Sequence, residues 1–237
     1  MGAVPSTDSY QQLDNIIWHA LSTRQAGFGV QQHNAAKFFK DVAPFGAFPK
    51  ASDENYHALA ALTAADETVA LFLDHIAAPP KGWALLRSAP LLQMIREKPV
   101  VAEVAVKAEI LSLGTNDSAD MIALTSLAKP GPFSARTHEL GAFYGIRQNG
   151  LLVAMAGERM KLPGHTEVSA VCTHPDHIGK GYAAALMSRV IAGIEARGEK
   201  PVLHVLKENA RAIALYERLG FRVRFSGHVS TIKKDAA

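Results

Sequence analysis

Val171-Cys172-Thr173-His174-Pro175-Asp176-His177-Ile178-Gly179-Lys180-Gly181-Tyr182-Ala183 reads as a strand that runs through a glycine loop straight into a helix. Glu167-Val168-Ser169-Ala170 begins the strand and Pro175 closes it. Helical spacing takes over from about Gly181 to Arg197, with Leu186, Met187, Val190, Ile191 and Ile194 on one face and Gly198 as a stop. Gly179 and Gly181 have no side chain to keep an anion off the backbone, and a helix N-terminus adds unpaired N–H donors with a partial positive charge. The loop suits a pyrophosphate, although a plain strand-to-helix turn would have the same residues.

Downstream, Val202-Leu203-His204-Val205 is a short strand, and Asn209 to Leu219 a helix on which Asn209, Ala212 and Tyr216 share one face at i, i+3 and i+7. Arg222 to Ile232 has the β-branched residues of closing strands. Upstream, Ala142 to Arg147 and Leu151 to Gly157 flank Gln148-Asn149-Gly150, whose Asn-Gly pair predicts a hairpin. Glu109 to Leu113 is strand-like, and Asp117 or Ser118 caps a helix carrying Met121, Ile122, Leu124 and Leu127 that ends at Pro130-Gly131-Pro132. From Glu109 onward the order is β-α-β-β-β-α-β-α-β.

The glycine loop followed by the Asn-and-Tyr helix and Gly220-Phe221 resembles the GNAT superfamily of acetyl-CoA-dependent N-acetyltransferases, over Glu109 to Arg224. The family's loop reads Arg/Gln-x-x-Gly-x-Gly/Ala, matched at positions 178 to 183 except that Ile178 stands first. Phe143-Tyr144-Gly145-Ile146, Cys172-Thr173-His174-Pro175 and Leu203-His204-Val205 look most like the glycine-N-acyltransferase-like branch. The resemblance implies an α/β (α+β) fold, with a central mixed sheet of splayed strands flanked by helices.

It also implies acetyl-CoA as acyl-donor substrate. Ile178, Gly179, Lys180, Gly181, Tyr182 and Ala183 would hold the pyrophosphate, and the main chain of Val171, Cys172 and Thr173 the pantetheine arm and thioester carbonyl. Asn209 and Ala212 would close the cleft from the other side. Tyr216 matches the family tyrosine near the thioester sulfur and is the expected acid. Glu167 stands where the branch places its catalytic glutamate and is the expected base, with Glu158 and His165 in reserve; a strand-end carboxylate in solvent is its plain alternative. The acceptor would be a primary amine of a small molecule or peptide, attacking directly in a ternary complex. Its pocket is expected between the segment from Ser118 to Glu139 and the closing strands.

The missing polar side chain at Ile178 removes at most one charged hydrogen bond, roughly 1.5–3 kcal/mol, and Lys180 is placed to compensate. The competing expectation, also motivated by Ile178, is a non-catalytic CoA-binding or regulatory module. Cys172 with His174 or His177 could suggest a covalent acyl-enzyme, but strict alternation sets Cys172 on the apolar face of Val168 and Ala170, as a buried structural thiol. No further ligand is spaced to complete a metal site around His174 and His177.

Residues 1–105 form an N-terminal α+β half, which a degenerate GNAT-like unit would also fit, and 106–237 the GNAT-like catalytic domain. Leu13, Ile16, Ile17, Ala20 and Leu21 predict one amphipathic helix, and Ala58, Leu59 and Leu62 another. Three apolar runs, 68–73, 83–87 and 91–96, are punctuated by Pro79-Pro80-Lys81-Gly82 and Pro90 and read as three short strands of a small sheet. Gly27-Phe28-Gly29 is a plain turn, and Pro99 to Lys107 the connection. This half could cover the acceptor pocket, pack against a second copy as a homodimer, or only bury surface.

With 237 residues, 48% hydrophobic and 20% charged, and a mean hydropathy of +0.04, the chain has the composition of a folded globular protein. A net charge of +3 has no basic stripe behind it, so no nucleic-acid partner is expected; Lys233-Lys234 is a single pair. No apolar run is long enough to span a bilayer, and no membrane partner is expected. One cysteine forms no intramolecular disulfide and fits a reducing, cytoplasmic location. The N-terminus has no signal-peptide pattern; Met1 to Ser6 matches a loose myristoylation motif, for which chance is the better account.

Overall fold

Residues 7–97 and 106–236 are described in a computed structural model, so the Met1–Ser6 motif and most of the Pro99–Lys107 connection lie outside the described residues. The N-terminal part runs α1 (Thr7–Asp14), α2 (Ile16–Ser22), β1 (Gly29–Gln32), β2 (Ala35–Phe38), β3 (Gly46–Ala47), α3 (Asp53–Ala61), β4 (Thr68–Leu73) and β5 (Trp83–Arg96). There follow β6 (Leu111–Leu113), α4 (Ser118–Ala128), β7 (Phe143–Gln148), β8 (Leu151–Leu162), β9 (His165–Thr173), α5 (Tyr182–Ala196), β10 (Lys200–Leu206), α6 (Ala210–Arg218) and β11 (Phe221–Lys234). The predicted order from Glu109 onward is the observed one. Asn149 and Gly150 have φ of 50° and 82°, the left-handed pair that joins β7 to β8 in a tight turn.

One mixed sheet of eight strands, in the order β4-β11-β5-β10-β9-β8-β7-β6, carries helices on both faces, and β1, β2 and β3 form a small separate sheet. On one face Leu186, Met187, Val190 and Ile194 of α5 are fully buried against Met94, Val168, Leu203 and Phe221. Each such side chain contributes about 1.5–3 kcal/mol. On the other face Leu13 of α1 and Ile16, Ile17, Ala20 and Leu21 of α2 pack with Ile95, Met160, Leu162 and Val202.

The N-terminal part departs from the sequence reading in three ways. The runs at 68–73 and 83–96 do not build a sheet of their own: β4 pairs with β11, and β5 is inserted between β11 and β10. Pro90 does not divide β5. Its carbonyl accepts from Lys207 N at 3.0 Å, on the side where β10 ends at Leu206↔Leu91, so its missing N–H falls where the ladder ends. The predicted first helix breaks at Asn15, whose Nδ2 donates to the Phe48 carbonyl at 2.8 Å, into α1 and α2.

Candidate active site

β9 and β10 run parallel but pair at only three positions, Lys200↔His165, Pro201↔Thr166 and Val202↔Glu167. Beyond Glu167, β9 continues to Thr173 along β8 while β10 continues to Leu206 along β5, so the facing edges part into a fork. The β9 arm of the fork leads to the glycine loop. Gly179 and Gly181 have φ of 89° and 80°, and Gly181 directly precedes α5 with no side chain satisfying the first-turn N–H groups. A Cβ at Gly179 would meet nothing within 4 Å, so the backbone there is open to a ligand. Ile178 is 47% exposed, and Lys180 Nζ lies 3.1 Å from His177 Nδ1.

The β9 arm is not a regular strand. Gly157↔Ser169 and Met155↔Cys172 leave Ala170 and Val171 facing the single residue Ala156, and Ala170 has φ of 53°. This bulge reverses the alternation. Val168 packs on the α5 face, whereas Cys172 packs with Met121 and Leu124 of α4, on the opposite one. The expectation that Cys172 shares a face with Val168 is thereby corrected. Its thiol is buried and pushed up to about 12 by that burial. Beside it Tyr216 is 8% exposed, and its phenol is pushed up to about 12, first by burial and then by Cys172. Sequence reasoning missed Ala170: nothing in Ser169-Ala170-Val171 separates a bulge from a continuous strand.

Asn209 stands one residue before α6, where its Oδ1 accepts from Ala212 N at 3.1 Å as a helix cap. Tyr182 and Ala183 open α5, and Thr173 ends β9. His174 Nδ1 accepts from Asp176 N at 3.2 Å. Among the described residues no three His, Cys, Asp or Glu side chains come together as a metal site.

Glu167 sits at the closed end of the fork and is fully buried. Glu158↔Val168 and Lys161↔Thr166 leave Arg159 and Met160 opposite Glu167, a second bulge that turns Arg159 onto the carboxylate. Oε1 accepts from Arg159 Nη2 at 2.8 Å and from His204 Nδ1 at 2.7 Å; Oε2 accepts from Arg159 Nε at 2.8 Å and Met160 N at 3.3 Å. Burial alone would raise this carboxyl, but the charge and hydrogen bonds of Arg159, joined by His204, hold it well below the usual carboxylate range. Glu167 is thus neither in solvent nor open to an amine.

The polar chain continues across the sheet. His204 Nε2 lies 3.0 Å from Gln93 Nε2, Gln93 Oε1 accepts from Arg224 Nη1 at 2.8 Å, and Arg224 pairs with Asp14. His204, Gln93, Asp14, Phe72, Phe225 and His228 line a cavity of about 20 Å³ beneath α1 and α2. His228 Nδ1 is buried there with no hydrogen-bond partner among the described residues. Phe225, Gly227 and His228 of the closing strand β11 line this cavity. Glu158 is bound by Lys161 and Arg197 at 2.8 and 2.7 Å, and His165 is buried against Tyr10. Neither reserve base reaches the cavity lining.

A family model described as FR47-like protein matches residues 143–229. The [ribosomal protein bS18]-alanine N-acetyltransferase of Escherichia coli K12 is 33% identical over 118 residues, 47% of this chain and 79% of that protein. Among solved structures, a protein from Novosphingobium aromaticivorans assigned to the GNAT family of acetyltransferases is 40% identical, with a TM-score of 0.87, covering 94% of this chain and 99% of that one. A GCN5-related N-acetyltransferase from Kribbella flavida shares the fold at 17% identity, with a TM-score of 0.62 over 94% of this chain and 97% of that one. With its fork, its glycine loop and these relatives, the chain belongs to the GNAT family of N-acetyltransferases.

Proposed function

We propose that this protein transfers an acetyl group from acetyl-CoA to an amine by direct attack in a ternary complex. The observation that carries the proposal is the fork between β9 and β10, which opens past Glu167 and is continued by the glycine loop. The residues present fit the donor. Gly179, Gly181 and the first turn of α5 offer free N–H groups and an open approach for phosphates, with Ile178, Lys180, Tyr182 and Ala183 around them. The unpaired edge at Val171, Cys172 and Thr173 would receive the pantetheine arm. The re-aimed backbone at Ala170 is suited to polarise a carbonyl oxygen.

The thioester supplies an activated acyl carbon; the protein supplies position and protons. Tyr216 stays protonated through neutral pH and can give its proton to a departing sulfur. Asn209 would contribute its Nδ2, since its Oδ1 caps α6. Residues 106–237 would hold the donor, while 1–105 shape the acceptor side through α1, α2 and β5. The relative that acts on the alanine of ribosomal protein bS18 supports a peptide α-amine as acceptor. The C-terminal motifs favour the glycine-N-acyltransferase-like branch, and the single buried cysteine a reducing cytoplasm.

Thiol release from acetyl-CoA, measured over a panel of amino acids, polyamines and short peptides with free N-termini, tests the proposal. Turnover with at least one amine is expected. Tight binding by calorimetry without turnover of any would mean a CoA-binding module instead.

A further inference from the structure

Hydrogen bonds define the state of His204 independently of any titration. The Gln93 amide nitrogen donates to the Leu13 carbonyl at 2.7 Å, and Gln93 Oε1 accepts from Arg224 at 2.8 Å. Exchanging the two amide atoms would set oxygen against oxygen and donor against donor, so it is an N–H of Gln93 that faces His204 Nε2 at 3.0 Å. Nε2 therefore accepts, the ring proton sits on Nδ1, and Nδ1 donates it to Glu167 at 2.7 Å. Every acceptor position on Glu167 is already filled by Arg159, His204 and Met160 N. Of the pair, only His204 lines the cavity; its Nε2 lone pair is held there by the Gln93 N–H, which also lines the cavity, and the residue stands two positions beyond Val202, the last to pair with β9.

We infer that His204 is the catalytic base of the acyl transfer and that Glu167 is a positioning residue behind it. This rests on the acyl-transfer reading above. An N–H of the acceptor, directly or through the single water that a cavity of this size admits, takes the place of the Gln93 N–H at Nε2. The amine nitrogen bonds to the thioester carbonyl carbon as its proton passes to Nε2. The C–S bond then breaks, and the sulfur takes the Tyr216 proton. Amide and free CoA thiol leave, and the proton on His204 returns to Tyr216 through solvent, so only amine and thioester are consumed. The titratable and charged groups of this network are Glu167 of β9, Arg159 of β8, Arg224 and His228 of β11, and Asp14 of α1, with the Tyr10 carbonyl accepting from Arg224 and the Phe72 ring of β4 tilted at 48° to His204, centroids 4.8 Å apart.

His204→Gln, assayed with whichever panel amine the wild type turns over, is expected to lose about 10²–10⁴-fold in kcat/KM. The loss should fall on kcat, the acidic limb of the pH profile should disappear, and acetyl-CoA affinity by calorimetry should stay unchanged. A second readout needs neither variant nor turnover: ¹⁵N-histidine NMR of the wild type should show His204 with its proton on Nδ1 at neutral pH. In Glu167→Gln that tautomer preference should weaken. Wild-type kcat/KM with an intact acidic limb in a folded His204→Gln, or a His204 proton on Nε2, would overturn the assignment. If the wild type releases no thiol with any amine, the acyl-transfer reading itself fails, a result distinct from an active variant.

Discussion

Cys172 stands opposite Met155 across β9 and β8, on the face covered by α4, because the bulge at Ala170 has turned the strand over after Val168. The same bulge re-aims the backbone at the fork. A non-glycine residue at φ of 53° stores about 1–3 kcal/mol, held in place by the packing around it. Ala170→Gly should therefore be neutral or raise the melting temperature, whereas Ala170→Val should lower it by several degrees and reduce transfer. Thermal denaturation and thiol release on both variants check this; a destabilised glycine variant would mean the strain is not there.

Cys172 should behave as a packing residue. A thiol pushed up to about 12 has roughly a thousandth of the thiolate of a free cysteine near pH 8, so alkylation of the native protein should be slower by about that factor and reach completion only in denaturant. Cys172→Ala should retain transfer while losing about 1–2 kcal/mol of stability. Rapid labelling of the native protein, or an abolished rate in a folded Cys172→Ala, would revive the covalent route.

Acid should weaken the fold through Glu167. Its carboxyl is depressed in the native state, so its contribution is complete above the ordinary carboxylate range and is lost as pH falls through that range toward the folded value. Glu158, also lowered, acts in the same sense. The melting temperature should fall steadily below about pH 4.5. Glu167→Gln should cost about 3 kcal/mol at neutral pH, by leaving Arg159 without its counter-charge, and should flatten the acid dependence; an unchanged slope would contradict this.

The first loop position can be repaired. Ile178 is nearly half exposed, so Ile178→Arg loses little packing and regains a side chain for phosphate. Acetyl-CoA should bind more tightly by roughly 1.5–3 kcal/mol in a calorimetric titration, with no change in melting temperature without ligand. Gly181→Ala should act in the opposite direction, since its φ of 80° is strained for any other residue.

Tyr216→Phe should lower kcat without weakening acetyl-CoA binding. Because burial pushes the Tyr216 phenol up to about 12, wild-type kcat should show no loss from Tyr216 ionisation below about pH 11. A basic limb near pH 9 that vanishes in Tyr216→Phe would show a far more acidic phenol.

The C-terminal order was legible because each element carries its own local signal: Asn149-Gly150 for the hairpin, Gly179 and Gly181 before α5, Gly198 after it. What escaped depended on partners distant in sequence. Pro90 reads as a break until Lys207 N is seen donating to its carbonyl, and Glu167 reads as a strand-end carboxylate until Arg159 and His204 surround it. His204 carried no motif beyond its place in a short strand. Its role emerges only from Gln93, supplied by a strand more than a hundred residues earlier.

That separation governs how the molecule must be made. Leu91, Leu92, Met94 and Ile95 of β5 leave the ribosome long before Val202–Leu206 and Phe221–Lys234, the two segments that flank them in the finished sheet. During synthesis β5 is an apolar strand with both edges unsatisfied, and the loops that close it are long, which slows folding and exposes the nascent chain to association. The last strand to emerge completes the sheet begun by one of the first.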